Sequence, residues 1–337
     1  MKVTSALLAG LLVVASTTGY AAGESVLFIG NSFTFGSGSA VRFYRANTVT
    51  DLNNEGIGGV PALFKSLTDQ AGYNYEVALE TRGGVGLDFH LANKLGVIGT
   101  RGWDKVVMHG YSTLDAEKPR DPAKLVATTK QMADFLRSKN PKVELFPMAT
   151  WSRADETYPA KGAWAGQPIE AMAHDVRVAY DKAAAGAGIK SVVPVGEAFT
   201  RAMQTGIADP NSYDGIDAGK VNLWTYDSYH ASTYAGAPPR GAGGLRYVHR
   251  TRPAIARRTS VRRSNSGLST AQTKALQQVA FDQLAAAGTV KPAPREIPKE
   301  ASAPNAARLP TELVGEGLLC RLAMHSLHAA WCRRHRR

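Results

Sequence analysis

Short apolar runs alternate with longer stretches of helical periodicity over the first two hundred residues. The run from Ser25 to Gly30 ends in glycine, which is the pattern of a buried parallel strand followed by a tight turn. Similar runs at residues 75–79, 105–108, 143–148 and 190–195 predict four more strands. The chain is therefore expected to contribute about five strands to one sheet.

Amphipathic stretches separate these runs. Residues 125–136 carry apolar side chains at three-and-four spacing, and Asp121 and Pro122 supply a cap and a first turn. Residues 169–180 show a second apolar stripe, and residues 61–71 predict a further helix. Strands that alternate with helices imply right-handed crossovers and a parallel sheet covered on both sides, which is a three-layer α/β/α sandwich.

The pattern breaks after Tyr234. Residues 236–266 are rich in arginine and lack apolar periodicity, so no core element is predicted there. Ser269 and Gln272 form a capping box, and the apolar stripe after them predicts a helix that ends near residue 288. We expect one domain over residues 23–288 and a disordered tail over residues 289–337, which are rich in Pro, Ala and charged residues near their start. The abrupt change also suggests the hypothesis that residues 236–266 result from a local shift of reading frame.

Composition changes this picture in two places. The formal net charge is +12, but residues 231–265 hold eight arginines and no acid, and residues 318–337 hold five arginines and no acid. The remainder is near neutral, so the charge does not indicate a broad polyanion-binding face. Cys320 and Cys332 are the only cysteines, so no disulfide is possible within the main body.

The first 22 residues predict a secretory signal peptide. Lys2 precedes a short apolar run over residues 6–15, and small residues follow up to Ala22. The run is shorter than the ~20 residues that span a bilayer. We therefore expect a secreted or periplasmic protein without an integral membrane segment after cleavage, and an uncleaved anchor is the alternative.

Two motifs carry candidate chemistry. Gly30, Asn31 and Ser32 follow the first predicted strand directly, where open parallel sheets bind ligands. A turn there exposes the serine hydroxyl, although a serine that only caps a helix is the alternative. Asp227 and His230 are three residues apart, so the carboxylate can hold the imidazole while the ring accepts a proton. Taken alone, that pair is more typical of a protein surface than of a catalytic site.

Together these motifs resemble the first and last blocks of the SGNH hydrolases, the superfamily of GDSL-like lipases and esterases. The resemblance implies a flavodoxin-like sandwich and a catalytic triad of Ser32, Asp227 and His230. It implies an oxyanion hole built from the Ser32 amide and from Gly84, within a glycine-rich block that is otherwise an ordinary turn. The asparagine of the family's third block is missing, and Ser112 or His109 is the candidate replacement, with Ser112 preferred.

Three functions follow from these observations. The first is an extracytoplasmic serine hydrolase that acts on an ester of a small molecule or carbohydrate, with an O-acetyl carbohydrate as one candidate. The second is a non-catalytic polysaccharide-binding module on the same fold, favoured by the altered third block. The third takes the arginines as a nucleic-acid or anionic-surface contact, which the near-neutral body disfavours.

No cofactor or metal is expected, since no metal-ligand motif accompanies His90, His109 or His174. The tryptophans at positions 103, 151, 164 and 224 either line a sugar-stacking cleft or belong to the core.

Overall fold

A computed structural model describes residues 23–70, 72–232 and 269–289. The predicted signal peptide, the arginine-rich residues 236–266, most of the tail and both cysteines lie outside the described residues. Among the described residues, no helix is both long and apolar enough to cross a bilayer.

Six parallel strands form a single sheet in the order β2-β3-β1-β4-β5-β6. The strands are β1 (Glu24–Gly30), β2 (Thr50–Asp51), β3 (Tyr75–Thr81), β4 (Lys105–Met108), β5 (Glu144–Ala149) and β6 (Val193–Pro194). The prediction of about five strands missed β2, whose two residues are too few to show a periodicity. The predicted strand at 190–195 is shorter than expected, because Val195 already begins a helix.

Helices connect the strands and follow the last of them. They are α1 (Ser32–Phe35), α2 (Gly59–Gln70), α3 (Leu87–Asn93), α4 (Leu95–Ile98), α5 (Ala123–Lys139), α6 (Ala154–Thr157), α7 (Glu170–Gly186), α8 (Val195–Gln204) and α9 (Thr270–Ala286), with short 3-10 turns at Ala40–Phe43 and Ala46–Thr48. The helices predicted around residues 61–71, 125–136 and 169–180 are confirmed as α2, α5 and α7. The capping box at Ser269 and Gln272 is also confirmed.

Alternate side chains of β1 enter two separate cores, as expected for a strand covered on both faces. Val26 and Phe28 pack with residues of α2, α8 and α9, whereas Leu27 and Ile29 pack with residues of α3 and α5. The apolar side chains of α7 form a third cluster with Leu125 of α5. The predicted three-layer α/β/α sandwich is therefore confirmed.

The four tryptophans named above belong to this core. Trp103, Trp151, Trp164 and Trp224 are each at most 4% exposed. Trp151 stacks between Phe33 and Phe199, with ring centroids 3.9 and 5.0 Å away. The idea that they line a sugar-stacking cleft is wrong, because their faces are already covered by protein.

Two helical glycines provide a test of this packing. A Cβ at Gly196 in α8 would overlap the carbonyl oxygen of Thr150, whereas a Cβ at Gly186 in α7 would meet only Val126 Cγ1, at 3.9 Å. We expect Gly196→Ala to lower the free energy of unfolding by about 1–3 kcal/mol through overpacking. Gly186→Ala should raise it by about 0.5–1 kcal/mol, since alanine restricts the unfolded chain. Urea denaturation of both variants measures the two signs, and equal effects would contradict the close approach at Thr150.

Candidate active site

The candidate site lies where β1, β3, β4 and β5 end. Ser32 is the first residue of α1, directly after β1, and its side chain is largely buried. Gly84 lies in the turn after β3, Ser112 in the turn after β4, and Asp227 and His230 in the segment that follows α8. The carboxyl ends of parallel strands thus carry most of the predicted residues, as open sheets generally do.

Asn31 ties three of these turns together. Its side-chain amide donates to the carbonyl oxygens of Val85, at 2.9 Å, and of Gly110, at 3.2 Å. The side-chain oxygen Oδ1 of Asn31 accepts from the backbone amide of Phe33 at 3.1 Å and so caps α1. An amide side chain can donate and accept at the same time, so one residue fixes the serine turn against the turns after β3 and β4.

Gly30 makes room for a second contact between the first and third blocks. Thr34 Oγ1 lies 2.8 Å from His109 Nε2, and His109 Nδ1 lies 3.1 Å from the carbonyl oxygen of Gly110. Because a carbonyl only accepts, Nδ1 carries the proton and Nε2 accepts from Thr34. A Cβ at Gly30 would overlap both Thr34 Oγ1 and His109 Nε2.

His109 is therefore a structural residue. Complete burial lowers the pKa of its imidazole to about 4, so the ring is neutral near pH 7. Both ring nitrogens are occupied, which leaves no proton for a substrate oxygen. This geometry disfavours His109 as the replacement for the missing asparagine, and the role of Ser112 stays a prediction.

Asp227 and His230 form the expected pair. His230 Nδ1 lies 2.6 Å from Asp227 Oδ2. Asp227 Oδ1 also accepts from Thr225 Oγ1 at 2.6 Å and from the His230 amide at 3.0 Å. Burial raises the pKa of the Asp227 carboxyl, but these hydrogen bonds outweigh it and hold the pKa at about 2. The carboxylate is charged at neutral pH and fixes the imidazole by its Nδ1.

The ring of His230 packs against the serine segment. Nε2 is buried and has no hydrogen-bond partner among the described residues. The His230 ring meets the Phe33 ring edge-on, with centroids 5.7 Å apart, and Phe33 directly follows Ser32. Two segments almost two hundred positions apart therefore meet at one edge of the sheet.

The segment holding His230 is supported by its own turn and by the end of β5. Trp224 and Ala231 form an antiparallel bridge, and Thr225 N donates to the carbonyl oxygen of His230 at 2.7 Å. Trp151 Nε1 donates to the carbonyl oxygen of Tyr229 at 3.0 Å.

Arg153 is a residue at this site that the sequence analysis missed. It follows β5 and lies between Ser112, at 3.1 Å from Nη1 to Oγ, and the ring of Tyr229, whose centroid is 3.6 Å from Cζ. Its position just after a strand end is the signal that would have marked it. Among the described residues, no group of three or more His, Cys, Asp or Glu side chains is arranged to bind a metal ion.

Comparison with known proteins gives structural similarities only. No family model and no curated protein matches the sequence. Similar solved structures include an acetyl xylan esterase from Geobacillus stearothermophilus, with 17% identity, a TM-score of 0.42, and coverage of 63% of this chain and 88% of that one. A protein from Slackia heliotrinireducens described as an SGNH hydrolase has 20% identity, a TM-score of 0.41, and coverage of 62% and 91%.

An extracellular lipase from Streptomyces rimosus is also similar, with 15% identity, a TM-score of 0.40, and coverage of 62% of this chain and 93% of that chain. The chain is thus similar to SGNH hydrolases, lipases and esterases. At these identities and TM-scores the reaction has to be argued from the geometry of the site.

The carboxylate of Asp227 provides a test with two readouts. We expect Asp227→Asn to lower kcat by about 10⁴-fold, because an amide no longer holds the required imidazole tautomer. In the folded protein the pKa of the Asp227 carboxyl lies below its usual value of 3.8. The charged carboxylate therefore stabilises the fold above pH 3.8, and this contribution is lost as the pH falls towards 2. The difference in unfolding free energy between parent and variant should therefore narrow between about pH 4 and 2.

Esterase kinetics and urea titrations at several pH values measure both effects. Asp217→Asn is the control, because Asp217 is an exposed carboxylate that pairs with Lys220 in the preceding loop. If Asp227→Asn kept the parental kcat, the Asp227 carboxylate would have no role in the reaction.

Proposed function

We propose that the protein is a serine hydrolase that cleaves an ester by acyl transfer, with Ser32 as nucleophile, His230 as general base and Asp227 as its orienting partner. One observation carries the proposal. His230 is bonded to a carboxylate through Nδ1, its buried Nε2 has no hydrogen-bond partner in the part of the chain that the structure describes, and its ring packs against Phe33, the residue that follows Ser32. An imidazole held in this way is the base that a serine hydroxyl requires near neutral pH.

The reaction follows from these roles. Ser32 Oγ attacks the ester carbonyl carbon while its proton passes to His230 Nε2, and a tetrahedral oxyanion forms. Collapse breaks the bond to the alcohol oxygen, which takes the proton from Nε2, and leaves the acyl group on Ser32. A water molecule then repeats the sequence, so the acid departs and the serine is regenerated. Each proton transfer uses the same imidazole.

Backbone geometry supports two of the oxyanion donors. The amides of residues 33, 34 and 35 bond to Asn31, and that of Ser32 is not among them. Gly84 has a φ of 73°, and a Cβ there would contact nothing within 4 Å. Its backbone therefore lies beside open space in a conformation that favours glycine. Each donor of this kind is worth about 3 kcal/mol of transition-state stabilisation.

The substrate we propose is an O-acyl carbohydrate, such as an acetyl ester. The buried tryptophans cannot stack on a sugar, but Tyr226 can, since it precedes Asp227 directly and is 90% exposed. Its ring lies near Gly38, just beyond α1, so it borders the same edge of the sheet. An amphipathic ring at the rim of a polar site suits a sugar face. We also propose that the protein acts outside the cytoplasm, as its first 22 residues predict.

The first test replaces the nucleophile. Ser32→Ala should lower the hydrolysis of p-nitrophenyl acetate by at least about 10³-fold, since the acyl-enzyme can no longer form. A fluorophosphonate probe should label the parent and not the variant. Ser37→Ala, in the turn that follows α1, is the control and should keep both properties. Unchanged hydrolysis by Ser32→Ala would end the proposal.

The second test concerns the sugar. Tyr226→Ala should raise KM for O-acetylated xylo-oligosaccharides by about 3–10-fold, equivalent to one lost aromatic contact. KM for p-nitrophenyl acetate should stay at the parental value, because that substrate carries no sugar ring. Tyr213→Ala, which removes another exposed tyrosine, is the matched control. A Tyr226→Ala variant with parental KM for the oligosaccharide would contradict the proposed stacking.

A further inference from the structure

Arg153 contacts two parts of the candidate site: Ser112, in the turn after β4, and Tyr229, next to His230. Its guanidinium donates from Nη1 to Ser112 Oγ at 3.1 Å and from Nε to Asp155 Oδ1 at 3.0 Å. Nη2 bonds to the other oxygen of Asp155 and lies 3.3 Å from Glu156 Oε1. The side chain is only 12% exposed, and two carboxylates in the first turn of α6 hold the planar group in a fixed orientation.

The same guanidinium lies on the face of Tyr229. Its Cζ is 3.6 Å from the ring centroid, within the range of a strong cation–π contact. The Tyr229 ring in turn lies 4.1 Å from the His230 ring and 5.3 Å from the Phe33 ring, measured between centroids. Arg153 therefore donates through Nη1 to Ser112, in the turn after β4. The face of its guanidinium covers Tyr229, in the segment that carries His230.

The charge of Arg153 is permanent. Burial lowers the pKa of the guanidinium, but hydrogen bonding and ion pairing with Asp155 outweigh burial, and the net shift is upward. A guanidinium has no acceptor atom, so the Ser112 hydroxyl can still donate its hydrogen bond to another group. Among the described residues, none accepts a hydrogen bond from the Ser112 hydroxyl.

This geometry defines what Ser112 can do. A hydroxyl has one proton and two lone pairs, and one lone pair is taken by a cationic donor. Hydrogen bonds in series polarise one another, so this contact makes the Ser112 O–H a stronger donor than an isolated serine. The turn that carries it lies beside the nucleophile, since Gly110 is bonded to Asn31 and His109 to Thr34.

We propose that Arg153 is a positioning residue that orients and polarises Ser112, so that this pair takes the place of an amide donor in the oxyanion hole. The inference rests on the proposed serine hydrolase function. Arg153 itself does not touch the substrate. It acts through Ser112 on the developing oxyanion.

A double-mutant cycle tests the inference with p-nitrophenyl acetate. Ser112→Ala should lower kcat by about 100-fold with little change in KM, the effect of one lost oxyanion donor. Arg153→Gln should lower kcat by about 30–100-fold, since Ser112 loses its orienting bond. Both substitutions remove the same oxyanion donor. The kcat of the double variant should therefore be no more than about threefold below that of the less active single variant.

Arg153→Lys is the second variant, because it keeps the charge and loses the fork that reaches Asp155 and Ser112 together. We expect its kcat to stay near that of Arg153→Gln, with a melting temperature closer to the parent. Arg177→Gln is the control, since Arg177 also pairs with two carboxylates, Asp181 and Glu197, on α7 and α8, which carry none of the proposed site residues. It should lose stability and keep kcat within about twofold.

Two outcomes overturn the inference while the proposed function stands. One is a parental kcat in Ser112→Ala. The other is a kcat of the double variant that is reduced by the product of the two single losses. Both require that the parent hydrolyses the ester and that Ser32 accepts the fluorophosphonate label. If the parent neither hydrolyses esters nor is labelled, the proposed function fails and the inference fails with it. Circular dichroism of each variant confirms that kcat is compared between folded proteins.

Discussion

The side chain of Asn31 holds the candidate site together. Its three hydrogen bonds join the serine turn to the turns after β3 and β4, and each of those turns carries a proposed oxyanion donor. The residue is 6% exposed, so the bonds are little weakened by competing water. A buried amide whose donors and acceptor are all used fixes three loops at once.

Burial of polar groups is the recurring feature around this centre. His109 stays neutral and is bonded at both nitrogens, and His90 pairs with Glu80 where both are fully buried. Arg153 is compensated by two carboxylates. Groups of this kind are costly to bury unless they are paired, and once paired they define one arrangement of the loops. The site is therefore rigid because of its polar contacts as much as its apolar core.

Much of this architecture could be predicted from the sequence. Short, mostly apolar runs marked β1, β3, β4 and β5, and the capping box marked α9, because these signals are local. The two residues of β2 carry no periodicity, and β6 passes directly into α8, so both depend on tertiary packing. Local motifs also placed Ser32, Asp227 and His230 in the segments that meet at one edge.

The tertiary partners of those residues could not be predicted in the same way. Nothing in the residues around position 153 indicates that an arginine there contacts Ser112, more than forty positions earlier in the chain. The roles of Thr225 and Asn31 likewise depend on which loops the fold brings together. The tryptophans illustrate the opposite error, since proximity to strand ends does not distinguish a cleft from a core.

The space left by Gly30 links two distant positions in a way that bears on sequence change. Any side chain at position 30 would displace the imidazole of His109, so the identity of the first residue of the serine motif is set by a residue seventy-nine positions later. A smaller residue at the later position would not lift that restriction by itself, because the hydroxyl of Thr34 would still overlap a side chain at position 30. An exchange at position 30 therefore needs compensating changes at both of the other positions.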